Sequence, residues 1–125
     1  MKLKKVLLGL LAFASVLFFA VNVHAARTDM IDISSHNNNG NIISTSQFTS
    51  IRNQCGIKAV VVKLSEGSTY QWSGAQQTIS NAESAGLYVD GYHYARYSTV
   101  DKATEEAQQA VSSAKSAGLS TRAVS

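Results

Sequence analysis

The sequence predicts an α/β fold in which parallel strands alternate with helices. Gly56, Gly86 and Gly118 recur at spacings of 30 and 32 residues, and each follows a helical pattern and precedes an apolar, strand-like run. That period is the length of one βα unit. The run from Ala59 to Val62 is continuously apolar, as in a parallel strand covered on both faces. A barrel or a doubly wound sheet is therefore favoured over an antiparallel sheet.

Strands and helices are predicted in alternation along the chain. The apolar patterns place strands at about 29–34, 58–64 and 88–94, helices at 44–54, 73–85 and 99–117, and the start of a fourth strand near Thr121. Helices that join parallel strands need right-handed crossovers. We therefore expect the strands to lie side by side, roughly 4.8 Å apart.

Polar residues mark the start of each predicted helix. In a capping box, a polar side chain satisfies an unpaired amide of the first turn. Three pairs lie at or near that spacing, namely Ser44 with Gln47, Ser73 with Gln76, and Ser98 with Asp101.

The third predicted helix has a narrow apolar stripe. Its small side chains suit close packing on a sheet. The stripe consists of Ala103, Ala107, Ala110, Val111 and Ala114, whereas Glu105, Glu106 and Lys115 are expected to lie off it.

The first 25 residues have the pattern of a signal peptide. Lys2, Lys4 and Lys5 precede an apolar run over 6–21, and Val23 and Ala25 are small residues at the positions that a signal peptidase reads. We expect residues 1–25 to be removed, leaving 26–125 as a secreted domain with no stable membrane association. An uncleaved anchor is less favoured, because the apolar run is shorter than the roughly 20 residues of a spanning helix.

The predicted mature chain carries no excess charge. Removing residues 1–25 leaves eight basic and eight acidic residues, so the pI of 9.1 comes largely from the exported segment. No basic stripe typical of nucleic-acid binders remains, and we expect no nucleic-acid partner. Cys55 is the only cysteine, which excludes an intramolecular disulfide. His36 and His93 are too few and too far apart to predict a zinc site.

Polar and aromatic residues gather where each predicted strand ends. They lie in the segments 32–37, 63–67 and 92–96. In a parallel barrel these strand ends form one face, which is where the active sites of barrels lie. The sequence therefore predicts a site for a polar ligand at this face.

These three segments, together with neighbouring residues, resemble the successive motifs of glycoside hydrolase family 25, the muramidases of the lysozyme M1 type. The matching runs are Asp32-Ile33-Ser34-Ser35-His36-Asn37, the segment from Val61 to Tyr70, and Gly91-Tyr92-His93-Tyr94-Ala95-Arg96. The resemblance extends over about 29–124. It implies a partial (β/α) barrel of the TIM-like type, comprising the first three βα units and the start of a fourth strand.

The resemblance also implies a reaction and a set of site residues. Family members cleave the β-1,4 bond between N-acetylmuramic acid and N-acetylglucosamine in peptidoglycan glycan strands, without a metal or cofactor. Asp32 corresponds to the family's active-site aspartate. Glu66, Tyr92, His93 and Tyr94 correspond to positions near the substrate groove, where phenol rings can stack on sugars and polar groups can bond their hydroxyls.

Two departures from the family pattern affect what we expect. The second motif usually continues from its tyrosine into Asn or Asp and then proline, whereas Tyr70 leads into Gln71 and Trp72, which predicts a differently shaped loop. The family's Asp-x-Glu pair, whose glutamate is the expected general acid, does not occur in this sequence. Residues 26–125 are therefore expected to be a truncated family 25 domain that is inactive or weak alone.

Several alternatives remain open from the sequence. A non-catalytic, secreted fragment that binds cell-wall glycan is the main alternative to a muramidase, and an unrelated secreted α/β binding protein is the second. Asp90 is interpreted as structural or edge-exposed rather than as a second catalytic acid. Because neighbouring strand residues face opposite sides, either His93 or the pair Tyr92 and Tyr94 can face the groove.

Overall fold

The protein, described by a computed structural model over residues 29–119, contains three helices and a four-stranded sheet. The predicted signal peptide at 1–25 and the predicted strand near Thr121 lie outside the described residues. Within the described range, no helix combines the length and apolar character needed to cross a membrane. The elements are β1 (Met30–Ile33), a 3-10 segment (Asn37–Gly40), α1 (Thr45–Cys55), β2 (Ala59–Glu66), β3 (Tyr70–Gln71), α2 (Ala75–Ser84), β4 (Tyr88–Tyr94) and α3 (Val100–Ser116).

The sheet is built around β2. Strand β1 pairs with β2 in parallel, from Met30 beside Ala59 to Ile33 beside Val62. Strand β4 pairs in parallel with β2 along its other edge, and the two-residue β3 pairs antiparallel with the end of β2. The predicted α/β class and the parallel strands are thus confirmed. The described strands form an open sheet, so closure into a barrel stays a prediction.

One of the three predicted caps is correct as placed. Ser44 and Gln47 form a full capping box, in which each side chain bonds the other residue's backbone amide. The prediction for Ser73 is wrong, because α2 begins after Gly74 without a side-chain cap and its first amide donates to the Trp72 carbonyl. The third cap is Thr99, one residue after the predicted Ser98.

The hydrophobic core lies between the helices and one face of the sheet. Val60, Val62 and Leu64 alternate along β2, and their side chains are almost completely buried. They form one cluster with Phe48 of α1, Ile79 and Ala82 of α2, and Ala114 of α3. Because successive strand residues face opposite sides, the other face of the sheet carries the intervening, mostly polar residues.

Gly91 allows close packing at the centre of this layer. A Cβ atom at this position would lie 2.5 Å from Cδ1 of Leu64 and 2.7 Å from Cδ1 of Leu119. Such distances are well inside van der Waals contact. The missing side chain of Gly91 therefore leaves room for both leucines.

The buried side of α3 differs from the predicted apolar stripe. Ala110 and Ala114 are buried as expected, but Ala107 and Val111 are exposed. Glu106, expected to lie off the stripe, is only 4% exposed. Its carboxylate is hydrogen-bonded inside the protein, which lets a charged residue occupy a buried helical position.

Candidate active site

A β-bulge determines which side chains share the open face of the sheet. The ladder between β2 and β4 is irregular between Lys63 and Ser65. In a regular strand, residues three positions apart point to opposite faces. The extra residue of the bulge instead turns Glu66 to the same face as Lys63, where the two side chains form an ion pair.

Lys63 and Glu66 lie at the centre of a cluster of charges and phenol rings. The Lys63 side chain is only 8% exposed, and its ammonium lies 5.0 Å from the ring centre of Tyr94 and 5.7 Å from that of Tyr70. The other carboxylate oxygen of Glu66 accepts a hydrogen bond from Nε of Arg96 at 2.8 Å and forms an ion pair with Nη2 of Arg96 at 2.5 Å. The guanidinium of Arg96 also covers the Tyr94 ring, at 4.8 Å. Two cations and two rings therefore surround one carboxylate.

These contacts keep Glu66 ionised. Hydrogen bonds from Lys63 and then from Arg96 lower the pKa of Glu66 below its ordinary value, against a smaller opposing effect of burial. A carboxyl group with a lowered pKa is a poor proton donor at neutral pH. Glu66 is therefore suited to accept hydrogen bonds from a ligand and not to protonate a leaving group.

Asp32 lies on the same face, near the end of β1. Its side chain is exposed, and the Tyr92 hydroxyl donates to Oδ1 over a long 3.4 Å. Burial, followed by the charge of Asp32, raises the pKa of Tyr92 to about 12. Tyr92 thus keeps its proton at neutral pH and acts as the donor to Asp32.

Asp90 shares a cross-strand row with Asp32. Val61 pairs with Asp32 on one side and with Asp90 on the other, so the two carboxylates flank the same residue of β2. Asp90 is half-buried, and its Oδ1 accepts a 2.7 Å hydrogen bond from the amide of Gly91. This bond to its own strand accords with a structural role, although the residue also faces the open side of the sheet.

His93 faces the opposite side of the sheet, toward α3. Its Nδ1 lies 2.9 Å from the hydroxyl of Ser65, and its Nε2 lies 3.0 Å from Oε2 of Glu106. The same carboxylate oxygen accepts the backbone amide of Arg96 at 2.8 Å. This chain of hydrogen bonds joins the ends of β2 and β4 to α3.

The Ser65, His93 and Glu106 chain resembles a hydrolase triad in composition but not in geometry. The serine of such a triad bonds Nε2 of the histidine and is reached by substrate. Here Ser65 bonds Nδ1, and its side chain is completely buried. Burial raises the pKa of Glu106, but hydrogen bonds from the Arg96 amide and from His93 outweigh it and leave a lowered pKa. The hydrogen bonds among Ser65, His93 and Glu106 therefore have a structural role.

The structure brings together four of the five residues that the sequence indicated. Asp32, Glu66, Tyr92 and Tyr94 share the open face, and His93 lies behind the sheet. Of the two alternatives for β4, it is the pair Tyr92 and Tyr94, and not His93, that faces the open side of the sheet. The residues that hold the cluster together were not predicted as site residues; they are Lys63, Tyr70, Arg96 and Glu106.

The loop that departs from the family pattern forms strand β3. Tyr70 and Gln71 pair with Glu66 and Ser65 at the end of β2. The Tyr70 hydroxyl donates to the Ser35 hydroxyl at 3.0 Å, which ties the loop to the end of β1. Among the described residues, no group of three or more His, Cys, Asp or Glu side chains could hold a metal ion.

The chain is similar to a known protein family and to solved structures. Residues 31–125 match the model of the family described as glycosyl hydrolases family 25. The muramidase from Trichobolus zukalii is 25% identical, with a TM-score of 0.52 over 65% of this chain and 35% of that one. The CTP1L endolysin is 28% identical, with a TM-score of 0.59 over 74% of this chain and 31% of that one. The chain thus spans about a third of each protein. No curated protein sequence matches it significantly.

Proposed function

The chain belongs to glycosyl hydrolase family 25, and on this basis we propose that it serves as a muramidase acting on the glycan strands of bacterial peptidoglycan. The proposed reaction is hydrolysis of the β-1,4 bond between N-acetylmuramic acid and N-acetylglucosamine. The bond from the anomeric carbon to the leaving oxygen breaks, and water supplies a hydroxyl to the carbon and a proton to the oxygen. The observation that carries the proposal is the shared position of Asp32, Glu66, Tyr92 and Tyr94 at the ends of parallel strands.

Asp32 is the residue that we assign to the reacting bond. Glycoside hydrolysis proceeds through a transition state with positive charge at the anomeric carbon, which a nearby carboxylate stabilises. Asp32 is exposed and receives a hydrogen bond from Tyr92, so its second oxygen can face the sugar. The raised pKa of Tyr92 keeps this donor protonated.

Glu66 and Tyr94 are assigned to sugar binding. Tyr94 is 48% exposed even though cations lie against its ring, so it retains surface on which a sugar can stack. Glu66 is held ionised and accepts hydrogen bonds, which suits the hydroxyl and acetamido N–H groups of the glycan. For His93 we propose an indirect role, in which it holds the ends of β2 and β4 through Ser65 and Glu106.

The proton donor is not assigned to any residue within 29–119. Glycoside hydrolysis normally uses two carboxyl groups, one of which protonates the leaving oxygen. Glu66 is unsuited to that step because its pKa is lowered. Asp90 lies in the same row as Asp32, so its substitution shows whether a second carboxylate of this row takes part in the reaction.

The proposed site of action is the cell wall, outside the cytoplasm. The signal pattern in residues 1–25 supports export. A muramidase and an endolysin are among the similar structures, and this supports a cell-wall substrate.

The test is to incubate the purified chain with peptidoglycan sacculi and to measure both sedimentation with the sacculi and release of reducing ends. Release by this chain should be weak, because no proton donor is assigned within 29–119, and Asp32→Asn should abolish it. Tyr94→Ala should weaken sedimentation. Tyr88→Ala is the matched control, because Tyr88 is 81% exposed at the opposite end of β4. Release that survives Asp32→Asn but not Asp90→Asn would transfer the assigned role to Asp90. Sedimentation without release would favour the non-catalytic glycan-binding alternative.

A further inference from the structure

A concave surface lies beside the site, between the β2–β3 turn and the start of α3. This cleft has a volume of about 620 Å³, within the range of roughly 300–1,000 Å³ that is common for ligand pockets. Glu66 and Arg96, which belong to the cluster on the open face, also line the cleft. The two surfaces are therefore continuous.

The lining of the cleft combines phenol rings with hydroxyl groups. Tyr70 and Tyr97 contribute the rings, and Tyr97 is 54% exposed. Ser68, Thr69 and Ser98 contribute hydroxyls from the facing segments. Rings that stack and hydroxyls that both donate and accept hydrogen bonds are complementary to a sugar, which has apolar ring faces and a rim of polar groups.

The charges along the cleft cancel. Arg96 pairs with Glu66, and Glu106 accepts bonds from His93 and from the Arg96 amide. The remaining charged lining residue, Lys102, pairs with Glu105 at 2.6 Å. Because each cation already has a carboxylate partner, an anionic ligand would have to displace one of these pairs. The lining therefore favours an uncharged polar ligand over the acidic peptide of the cell wall.

We propose that this cleft is a subsite for an uncharged N-acetylhexosamine unit, which extends the glycan groove past Glu66. The inference rests on the proposed function, because it requires a glycan in the neighbouring groove. Tyr97 is the residue expected to stack on the added sugar. Glu106 acts as a positioning residue, since it holds the backbone of Arg96 at the junction between the groove and the cleft.

The experiment measures calorimetric binding of N-acetylglucosamine oligomers of two and four units to the purified full chain. In the wild type, the tetramer should bind more tightly than the dimer, because only the tetramer spans both surfaces. Tyr97→Ala should reduce tetramer affinity roughly three- to tenfold and leave the dimer unchanged, in line with the loss of one stacking contact. Tyr97→Phe, which keeps the ring, should retain most of the tetramer affinity.

The controls separate this inference from the proposed function. Tyr88→Ala should change neither affinity, and Tyr94→Ala should weaken both oligomers. If Tyr94→Ala weakens binding but Tyr97→Ala leaves the preference for the tetramer intact, the cleft is not a subsite and the groove still stands. If neither oligomer binds the wild type, the proposed groove fails and the subsite fails with it. A circular dichroism spectrum of Tyr97→Ala that matches the wild type ensures that a loss of binding is not a loss of folding.

Discussion

The Tyr92 hydroxyl lies 3.4 Å from Oδ1 of Asp32, two strands away across β2. The two residues are 60 positions apart in the chain. The long side chain of Tyr92 reaches across β2 to Asp32. The distance is long for a hydrogen bond between oxygens, so the contact is weak and can readjust when a ligand binds. It nevertheless connects the residue assigned to the reaction with the strand that carries Tyr94.

Tyr92 should lose its proton only near pH 12, because burial and the charge of Asp32 raise its pKa from the ordinary value of 10.0. A raised pKa in the folded state contributes stability that is fully present below the unfolded value. That stability is lost as the pH rises from about 10 toward 12. The difference in tyrosinate absorbance between the wild type and Tyr92→Phe measures this ionisation. Asp32→Asn should lower the pKa of Tyr92. A Tyr92 titration centred at 10 would contradict the prediction.

Acid should destabilise the protein partly through Glu66 and Glu106. Both pKa values are lowered from the ordinary 4.5. The resulting stability is therefore present above pH 4.5 and is lost as the pH falls toward the lower folded values. Urea unfolding from neutral pH to about pH 3 should show a shallower loss in the double variant Glu66→Gln/Glu106→Gln than in the wild type. Equal pH dependence in the two proteins would mean that these carboxylates do not drive acid unfolding.

Glu106→Gln should destabilise the fold more than Glu105→Gln. Glu106 is buried and accepts hydrogen bonds from His93 and from the Arg96 amide, whereas Glu105 is exposed in a surface pair with Lys102. Replacing a buried charged acceptor weakens both of its bonds, whereas exposed substitutions usually change stability by less than about 0.5 kcal/mol. Chemical denaturation of the two neighbouring variants provides the comparison. Equal denaturation midpoints would show that the hydrogen bonds of Glu106 do not contribute to the stability of the fold.

Gly91→Ala should destabilise the protein by about 1–3 kcal/mol through overpacking. The added Cβ would lie 2.5 Å from Cδ1 of Leu64. The penalty should be smaller in a Leu64→Ala background, where the clashing side chain is shortened, and a double-mutant cycle measures that coupling. An unchanged penalty in that background would show that the strain arises elsewhere.

The sequence predicted the elements well because their signals are local. The period of Gly56, Gly86 and Gly118 reflects positive φ angles after each helix, and all three glycines have them. The box of Ser44 and Gln47 depends on residues three positions apart. The apolar run in β2 requires burial wherever the strand lies. Such features depend mainly on backbone geometry and on near neighbours, which a single stretch of sequence contains.

The candidate site was only partly predictable, because its contacts join distant residues. A bulge after Lys63 reverses the face of Glu66, and the strict alternation of side chains along a strand gives no sign of it. Glu106 was expected to lie off the apolar stripe, and its burial was not predicted because its partners, His93 and the amide of Arg96, lie outside α3. The pairing of β3 with the end of β2 was also missed, since a two-residue strand has no periodicity to detect.

The sequence by itself therefore determined the order of strands and helices, the parallel α/β class and the identity of the residues at the strand ends. Only the tertiary structure decided that Tyr92 and Tyr94, and not His93, share a face with Asp32 and Glu66. The physical reason is that helix and strand formation follow from local hydrophobic period and capping. The direction and charge of a site residue depend instead on sheet register and on partners such as Lys63, Arg96 and Glu106, which only folding brings into contact.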